Sequence, residues 1–224
     1  MANSNFRLYV DFDGTVTDID VGNGIFARFI RKELLEKGWH EEIINEWKAE
    51  RLSSLQCLTM ECANSVATED EMKEELKNYP LTEGFVETAQ FCQTNEIPLM
   101  ILSDGLDYYI DHILKMHGLE NIDFKANHLI FGESTLGVEF PHSEYGCGKC
   151  GNCKRWHMRT HSKQGECVIY VGDGYSDRYA IKSADVVFAR RDLEAYCKRE
   201  NIDYHPFETF HEVLSYLKSG HEDI

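Results

Sequence analysis

A short β-forming run, Phe6-Arg7-Leu8-Tyr9-Val10, gives way at once to Asp11-Phe12-Asp13-Gly14-Thr15. The run reads as a buried strand. Residues i and i+2 of an extended chain point the same way, so Asp11 and Asp13 leave the strand end side by side. Two unpaired carboxylates placed like this repel and desolvate each other. A divalent cation, or a phosphoryl group held by one, removes that cost. Gly14 lets the backbone turn closely beside such a ligand. Read alone, the stretch is equally a turn closing a strand, since Asp and Gly are common turn residues.

The stretch is not alone. Ser103 follows a second apolar run, Ile97-Pro98-Leu99-Met100-Ile101-Leu102. A third run, Cys167-Val168-Ile169-Tyr170-Val171, ends in Gly172-Asp173-Gly174-Tyr175-Ser176-Asp177. In an open parallel sheet, ligands collect at the carboxyl ends of the strands. Three strand ends of matching chemistry point to one shared site.

The chain has 224 residues, enough for one large domain or one domain carrying an inserted piece. Between the first two motifs, from about Val21 to Lys77, the pattern is helical. Phe26, Phe29, Ile30, Leu34 and Leu35 recur at three- and four-residue spacing up to Gly38. Three more helices follow, over Ile43–Trp47, Leu52–Val66 with Ser53 or Ser54 as cap, and Thr68–Tyr79. Elsewhere strands and helices alternate, with a hairpin over 122–131 and 134–140. Ser103-Asp104-Gly105 reads as a turn, 176–183 as a helix, and Ile202–His205 as an edge strand. The expected architecture is therefore α/β, a Rossmann-like parallel sheet core flanked by helices with an inserted small helical cap. Residues 1–16 and 82–224 form the core and 17–81 the cap, joined near 16–20 and 79–83.

A formal net charge of -16 argues against nucleic-acid or anionic-membrane partners. No stretch approaches a membrane span, and no apolar segment follows the polar first residues as in a secretion signal. With eight cysteines and no such signal, a reduced cytoplasmic setting is expected. The sequence carries no reading of oligomeric state.

These motifs resemble the haloacid dehalogenase-like hydrolases, within them the phosphatases with a small helical cap after the first motif. The resemblance spans nearly the whole chain and rests on Asp11-Phe12-Asp13-Gly14-Thr15, Ser103, a lysine before the last motif, and Gly172-Asp173-Gly174-Tyr175-Ser176-Asp177. Pro141-His142-Ser143 and Cys153-Lys154 are similar to the methionine-salvage phosphatases that act on a hydroxy-keto-methylthiopentenyl phosphate. Phosphoethanolamine/phosphocholine phosphatases look like more distant relatives. Phosphoserine phosphatases share the layout, but their substrate-carboxylate arginine would fall near Thr59–Cys62, where there is none.

The resemblance implies a Mg²⁺-dependent phosphomonoesterase for a small phosphorylated metabolite. Asp11 is the nucleophile that forms an aspartyl-phosphate, and Asp13 the acid and base. Asp11, Asp173 and the carbonyl of Asp13 hold Mg²⁺, while Asp177 binds a metal water or holds the lysine. Ser103 donates to a phosphoryl oxygen. Asp104, Gly105 and Thr15 add donors around it. The lysine is Lys154, with Lys149 as rival. His142, Asp20, Phe26, Arg51 and Tyr108 are candidate lining residues of the cap–core cleft.

Cys147, Cys150 and Cys153 form Cys-x2-Cys-x2-Cys. Either they share a structural Zn²⁺, with His142 or another group as fourth ligand, or they are reduced thiols in a glycine-rich loop. A zinc-stabilised interaction module without enzymatic activity is the reading from another class.

Overall fold

The three motif-bearing runs become neighbouring strands in the computed structural model, which describes residues 5–222. The first part of the chain forms β1 (Phe6–Val10), α1 (Val21–Phe29), α2 (Lys32–Leu35), α3 (Trp39–Lys48), α4 (Ser54–Ala63) and α5 (Glu69–Leu76). Then come α6 (Phe85–Thr94), β2 (Leu99–Leu106), α7 (Asp107–Met116), β3 (Asp123–Phe131) and β4 (Leu136–Glu139). The last part holds α8 (Lys154–His161), β5 (Cys167–Gly172), β6 (Val186–Ala189), α9 (Arg191–Glu200), β7 (His205–Pro206) and α10 (Phe210–Glu222). Residues 1–4 and 223–224, assigned to the core from the sequence, lie outside the described residues.

The sheet has seven strands in the order β4-β3-β2-β1-β5-β6-β7. Its neighbours are parallel except for the β3–β4 hairpin. This is the expected α/β, Rossmann-like sheet. β1 is buried along its whole length. Leu8 and Val10 join the core layer of Phe85 and Ile101, while Tyr9 joins Met100, Tyr170 and Leu193 on the other side. The chain moves outward from β1 to β2 and β3 on one side and returns to β5 on the other. Such a reversal opens a crevice at the strands' carboxyl ends.

Several local expectations need correction. The Ser103-Asp104-Gly105 segment is not a turn but part of β2. Register slips there: Leu102 pairs with Lys125 but Leu106 with Asn127, so β2 bulges outward beside the site. The run expected as one helix to Gly38 breaks at Ile30, giving five helices between β1 and α6 instead of four. Ile30 is extended and bridges Ser65, the Arg31 amide donating to Asn64 O and the Val66 amide to Phe29 O. These bonds fasten the end of α1 to the end of α4, and they outweigh the helical pattern. The segment 176–183 divides into short 3₁₀ turns, and the edge strand is only His205–Pro206.

Capping boxes at Ser53/Gln56 and Thr68/Glu71 start α4 and α5. The two connectors flanking the helical segment meet through a Thr17–Leu81 bridge, and the Thr82 hydroxyl donates to Thr15 O at 2.7 Å. Among the described residues, no helix is long and apolar enough to cross a membrane.

Candidate active site

Asp11 leaves β1 buried at its carboxyl end. The next residues wind as one wide turn, with the Val16 amide on Asp11 O and the Thr17 amide on Phe12 O. Gly14 makes this turn at φ +71°, and a Cβ there would sit 2.4 Å from Asp173 Oδ2. Only glycine lets the first and last motifs approach this closely. Arg190, buried at the end of β6, braces the turn by donating to Gly14 O (3.0 Å) and the Thr82 hydroxyl (3.1 Å).

The structure places the two lysines differently. Lys149 is exposed, whereas Lys154 is buried at the start of α8. Its Nζ donates to Asp11 Oδ1 at 2.5 Å, Asp177 Oδ1 at 2.6 Å and Ser176 Oγ at 3.1 Å. Burial opposes the ammonium charge, but the carboxylates of Asp11 and Asp177 outweigh it and hold the Lys154 pKa above its ordinary value. For Asp11, burial raises the pKa, Asp177 adds to the rise and Lys154 opposes it.

Asp11, Asp173 and Asp177 bring carboxylate oxygens within 4.8 Å of one another. Their environments differ. Asp177 Oδ1 takes Lys154 and the Tyr170 hydroxyl, and Oδ2 takes the amides of Asp173 and Gly174. Both its oxygens are engaged, so Asp177 is placed to hold Lys154 and the loop. Asp173 accepts from the Thr15 hydroxyl at 3.2 Å and from Arg191 at 3.3 Å. The Thr15 side chain thus orients Asp173. Burial lifts the Asp173 pKa to about 7, with Asp177 adding and Arg191 opposing. Three acids crowded around one lysine leave an excess of negative charge that an oxygen-preferring divalent cation would offset.

Asp13 faces the cleft from the other side of the turn. Its Oδ1 accepts the Gly22 amide at 2.9 Å, and Oδ2 accepts the hydroxyls of Ser103 (3.1 Å) and Tyr109 (2.8 Å). Burial pushes its pKa up to about 6, the charge on Asp20 adds, and these hydrogen bonds hold it down. Gly105 makes room for the arrangement, since a Cβ would lie 1.6 Å from Tyr109 Oη. Its amide donates to Ser103 Oγ. Asn152 ties the lysine loop to the β2 bulge: its amide donates to Asp104 Oδ1 and its side chain to Ser103 O.

The cleft occupies about 490 Å³. Asp11, Asp13, Asp104, Gly105 and Asp173 line its core side, and Asp20, Phe26, Trp47, Leu58 and Glu61 its other side. Three expected lining residues fall elsewhere. His142 packs edge-on against His157 at 4.7 Å and lines no part of the cleft. It is also not grouped with the three cysteines, so it is not placed as their fourth ligand. Tyr108 lies against Phe131. Arg51 pairs with Glu46 in solvent at 2.6 Å.

Tyr109, Asn152, Arg190 and Arg191 were missed from the sequence. Tyr109 carries a signal: with Ile110, Ile113 and Leu114 it marks the buried face of α7, and Tyr108 is off that face. The arginines follow β6, a fourth strand end in the same parallel sheet. Asn152 carries none, because its partners are fixed only by the fold.

The chain matches the protein-family model described as "Putative Phosphatase" over residues 6–222. It is 31% identical over 211 residues to a 2-hydroxy-3-keto-5-methylthiopentenyl-1-phosphate phosphatase of Exiguobacterium sp., covering 93% of this chain and 95% of that protein. It is 32% identical over 220 residues to a protein of the same name from Bacillus cereus, covering 96% of each. Among solved structures it is similar to a phospho-aspartyl intermediate analogue of phosphoserine phosphatase, with TM-score 0.71 and 22% identity, covering 95% of this chain and 99% of that one.

Proposed function

From the premise that the chain belongs to the Putative Phosphatase family, and is a phosphoric monoester hydrolase of small phosphorylated metabolites, we propose a Mg²⁺-dependent reaction through an aspartyl-phosphate on Asp11. The proposed substrate is 2-hydroxy-3-keto-5-methylthiopentenyl-1-phosphate, on which the similar proteins are named to act. The observation that carries the chemistry is the Asp11 carboxylate, with Oδ1 tied to Lys154 and Asp173 beside it on the next strand end.

Asp11, Asp173 and the Asp13 carbonyl would hold Mg²⁺, which when bound supplies positive charge to the phosphoryl oxygens. Lys154 adds a fixed charge and orients Asp11. The Asp11 carboxylate attacks phosphorus as the bond to the leaving oxygen breaks, and protonated Asp13 gives that oxygen its proton. Asp13, now ionised, takes a proton from water as the water oxygen attacks the aspartyl-phosphate. Phosphate leaves and Asp11 is restored. Burial of Asp13, which lifts its pKa to about 6, supports the acid role near neutrality. On this reading residues 17–81 are a cap that shapes the leaving-group side. A cytoplasmic location belongs to the same reading, since a reducing compartment keeps a thiol-rich loop reduced.

A second substrate class, phosphoethanolamine or phosphocholine, draws on Glu61. This buried carboxylate lines the cleft where phosphoserine phosphatases are expected to carry an arginine, and Trp47 and Tyr175 line the same cleft. A cleft that offers both an acid and aromatic rings suits an ammonium group.

The test is turnover of these phosphates with and without Mg²⁺, with mass analysis of acid-quenched enzyme. The expected result is Mg²⁺-dependent release of phosphate and a phosphoryl adduct on Asp11. Full activity of Asp11→Asn overturns the mechanism. Preference for phosphoethanolamine over the thiopentenyl phosphate overturns the first substrate.

A further inference from the structure

The structure gathers ligand-capable side chains in a second place, outside the catalytic acids. Among the described residues, the Sγ atoms of Cys147, Cys150 and Cys153 lie within 4.8 Å of one another. Cys147 and Cys150 sulfurs are 3.3 Å apart. The other cysteines, at 57, 62, 92, 167 and 197, do not join this group and form no disulfide. From this we infer that Cys147, Cys150 and Cys153 bind one Zn²⁺, separate from the catalytic metal and one residue away from Lys154.

The backbone is shaped for it. Gly146 and Gly148 flank Cys147 at φ +89° and +70°, a conformation that side chains rarely adopt. A Cβ on Gly146 would lie 2.7 Å from Cys153 Sγ, so the loop folds directly over that sulfur. The cation preference follows from the atoms. The Asp11–Asp173 pair offers oxygens, which suit Mg²⁺, whereas three thiolates select a soft, tetrahedral ion. The two sites should therefore sort their metals without competing.

All three cysteines line a cavity of about 740 Å³, with Lys149, Arg155 and Tyr179. Three protein ligands would leave a fourth tetrahedral position for water or a small thiol to complete. The ion would also be a positioning device. Cys150 and Cys153 bracket Gly151, whose amide donates to Ser54 Oγ of α4, and Asn152, whose side chain holds Ser103 O and Lys125 O. Fixing both cysteines fixes the stretch that delivers Lys154 to Asp11.

The proposal goes beyond the phosphatase reading and is tested without it. The full chain is purified anaerobically with a reductant, without chelators or metal-affinity resin, and its metals are counted. About one zinc per chain is expected in the wild type and in Asp173→Asn, and less than about a tenth in Cys147→Ser/Cys150→Ser. Cys147 and Cys150 are not buried, so this variant should fold where a change at buried Cys153 risks not doing so. Replacement by Co²⁺ is expected to give a near-ultraviolet thiolate-to-metal band, which the double variant lacks. A zinc-selective chelator that leaves Mg²⁺ bound is expected to expose three further reactive thiols. Zinc absent from the wild type after reconstitution, zinc retained by the double variant or lost from Asp173→Asn, copper or iron in its place, or a Cys147–Cys150 disulfide in the reduced preparation would overturn the assignment.

Discussion

The two walls of the cleft are built differently. On the core side, Asp11, Asp13, Asp173 and Lys154 sit at the ends or starts of sheet-anchored elements, tied by hydrogen bonds to groups on neighbouring elements. On the helical side (the proposed cap), Phe26, Ile44, Trp47, Leu58 and Glu61 come from three helices. The sheet wall fixes atoms that must meet phosphorus within fractions of an ångström. On the proposed reading, the helical wall meets the part of the substrate that does not react, where shape matters more than exact placement. Changes in the first wall should therefore act on kcat and changes in the second on KM.

The largest effect that checks this division is at Asp11. Asp11→Asn should lower kcat by about 10⁴-fold or more, with the circular-dichroism spectrum unchanged. Lys154→Met comes next. It should cost about 10²–10³-fold in kcat. It also leaves Asp11 and Asp177 buried without their cation, a loss of about 3–5 kcal/mol. At this chain length that lowers the melting temperature by roughly 10 °C. Lys149→Met, on an exposed lysine, should change neither number. Equal losses in the two variants would remove Lys154 from its role.

Asp13 sharpens the division through pH. An acid gives up its proton as pH rises through its pKa, so the acid-dependent step should slow above about pH 6 for a substrate with a poor leaving group. The Tyr109 hydroxyl donates to the Asp13 carboxylate and lowers its pKa. Tyr109→Phe removes that bond, so the alkaline limb should move to higher pH, by about one unit, equivalent to about 1.4 kcal/mol. Activity profiles of kcat against pH measure this directly. A limb that moves down or stays in place would separate Tyr109 from Asp13. Gly105→Ala should disturb the same limb, because the added carbon meets Tyr109 Oη.

The same division explains what the sequence shows and hides. Strand ends are legible because a β run and the polar residues after it are contiguous: Asp11, Ser103 and Asp173 each follow an apolar stretch. The β2 bulge is not, because Ser103-Asp104-Gly105 carries turn residues and only pairing with β3 draws them into a strand. Tyr108 and Tyr109 differ by 100° of helix, and helix phase is set by the sheet α7 packs on. Asp177 has the composition of a metal ligand, but its neighbours use both its oxygens. Ile30 fits a helical pattern and is pulled out of it by the strand-like bridge to Ser65. In each case the hidden fact depends on a partner distant in sequence.

On the cap wall the effects should be smaller and confined to binding. Trp47→Ala and Glu61→Gln should each raise KM by about tenfold, with kcat within about twofold of wild type. Glu61 is buried and accepts from His40 Nε2 at 2.9 Å, so Glu61→Gln keeps the shape while removing the charge. Its effect should be greatest on a substrate bearing an ammonium group and smallest on an uncharged leaving group. An equal change for both would mean that Glu61 acts by shape alone.

The smallest expected effect lies where the walls meet. Arg178 reaches from the core to Glu50 at 2.8 Å, and Tyr175 Oη donates to Lys48 O. Arg178 also lies 3.3 Å from the centre of the Tyr175 ring, within cation–π range. Glu50 is 55% exposed, so the ion pair contributes at most about 1 kcal/mol and is screened by salt. Arg178→Ala should therefore raise KM by no more than about fivefold at low ionic strength, a ratio corresponding to about 1 kcal/mol. That increase should shrink as salt is added, because added ions weaken the same contact in the wild type. A salt-independent increase would mean that stacking on Tyr175, rather than the pairing with Glu50, holds the helices over the cleft.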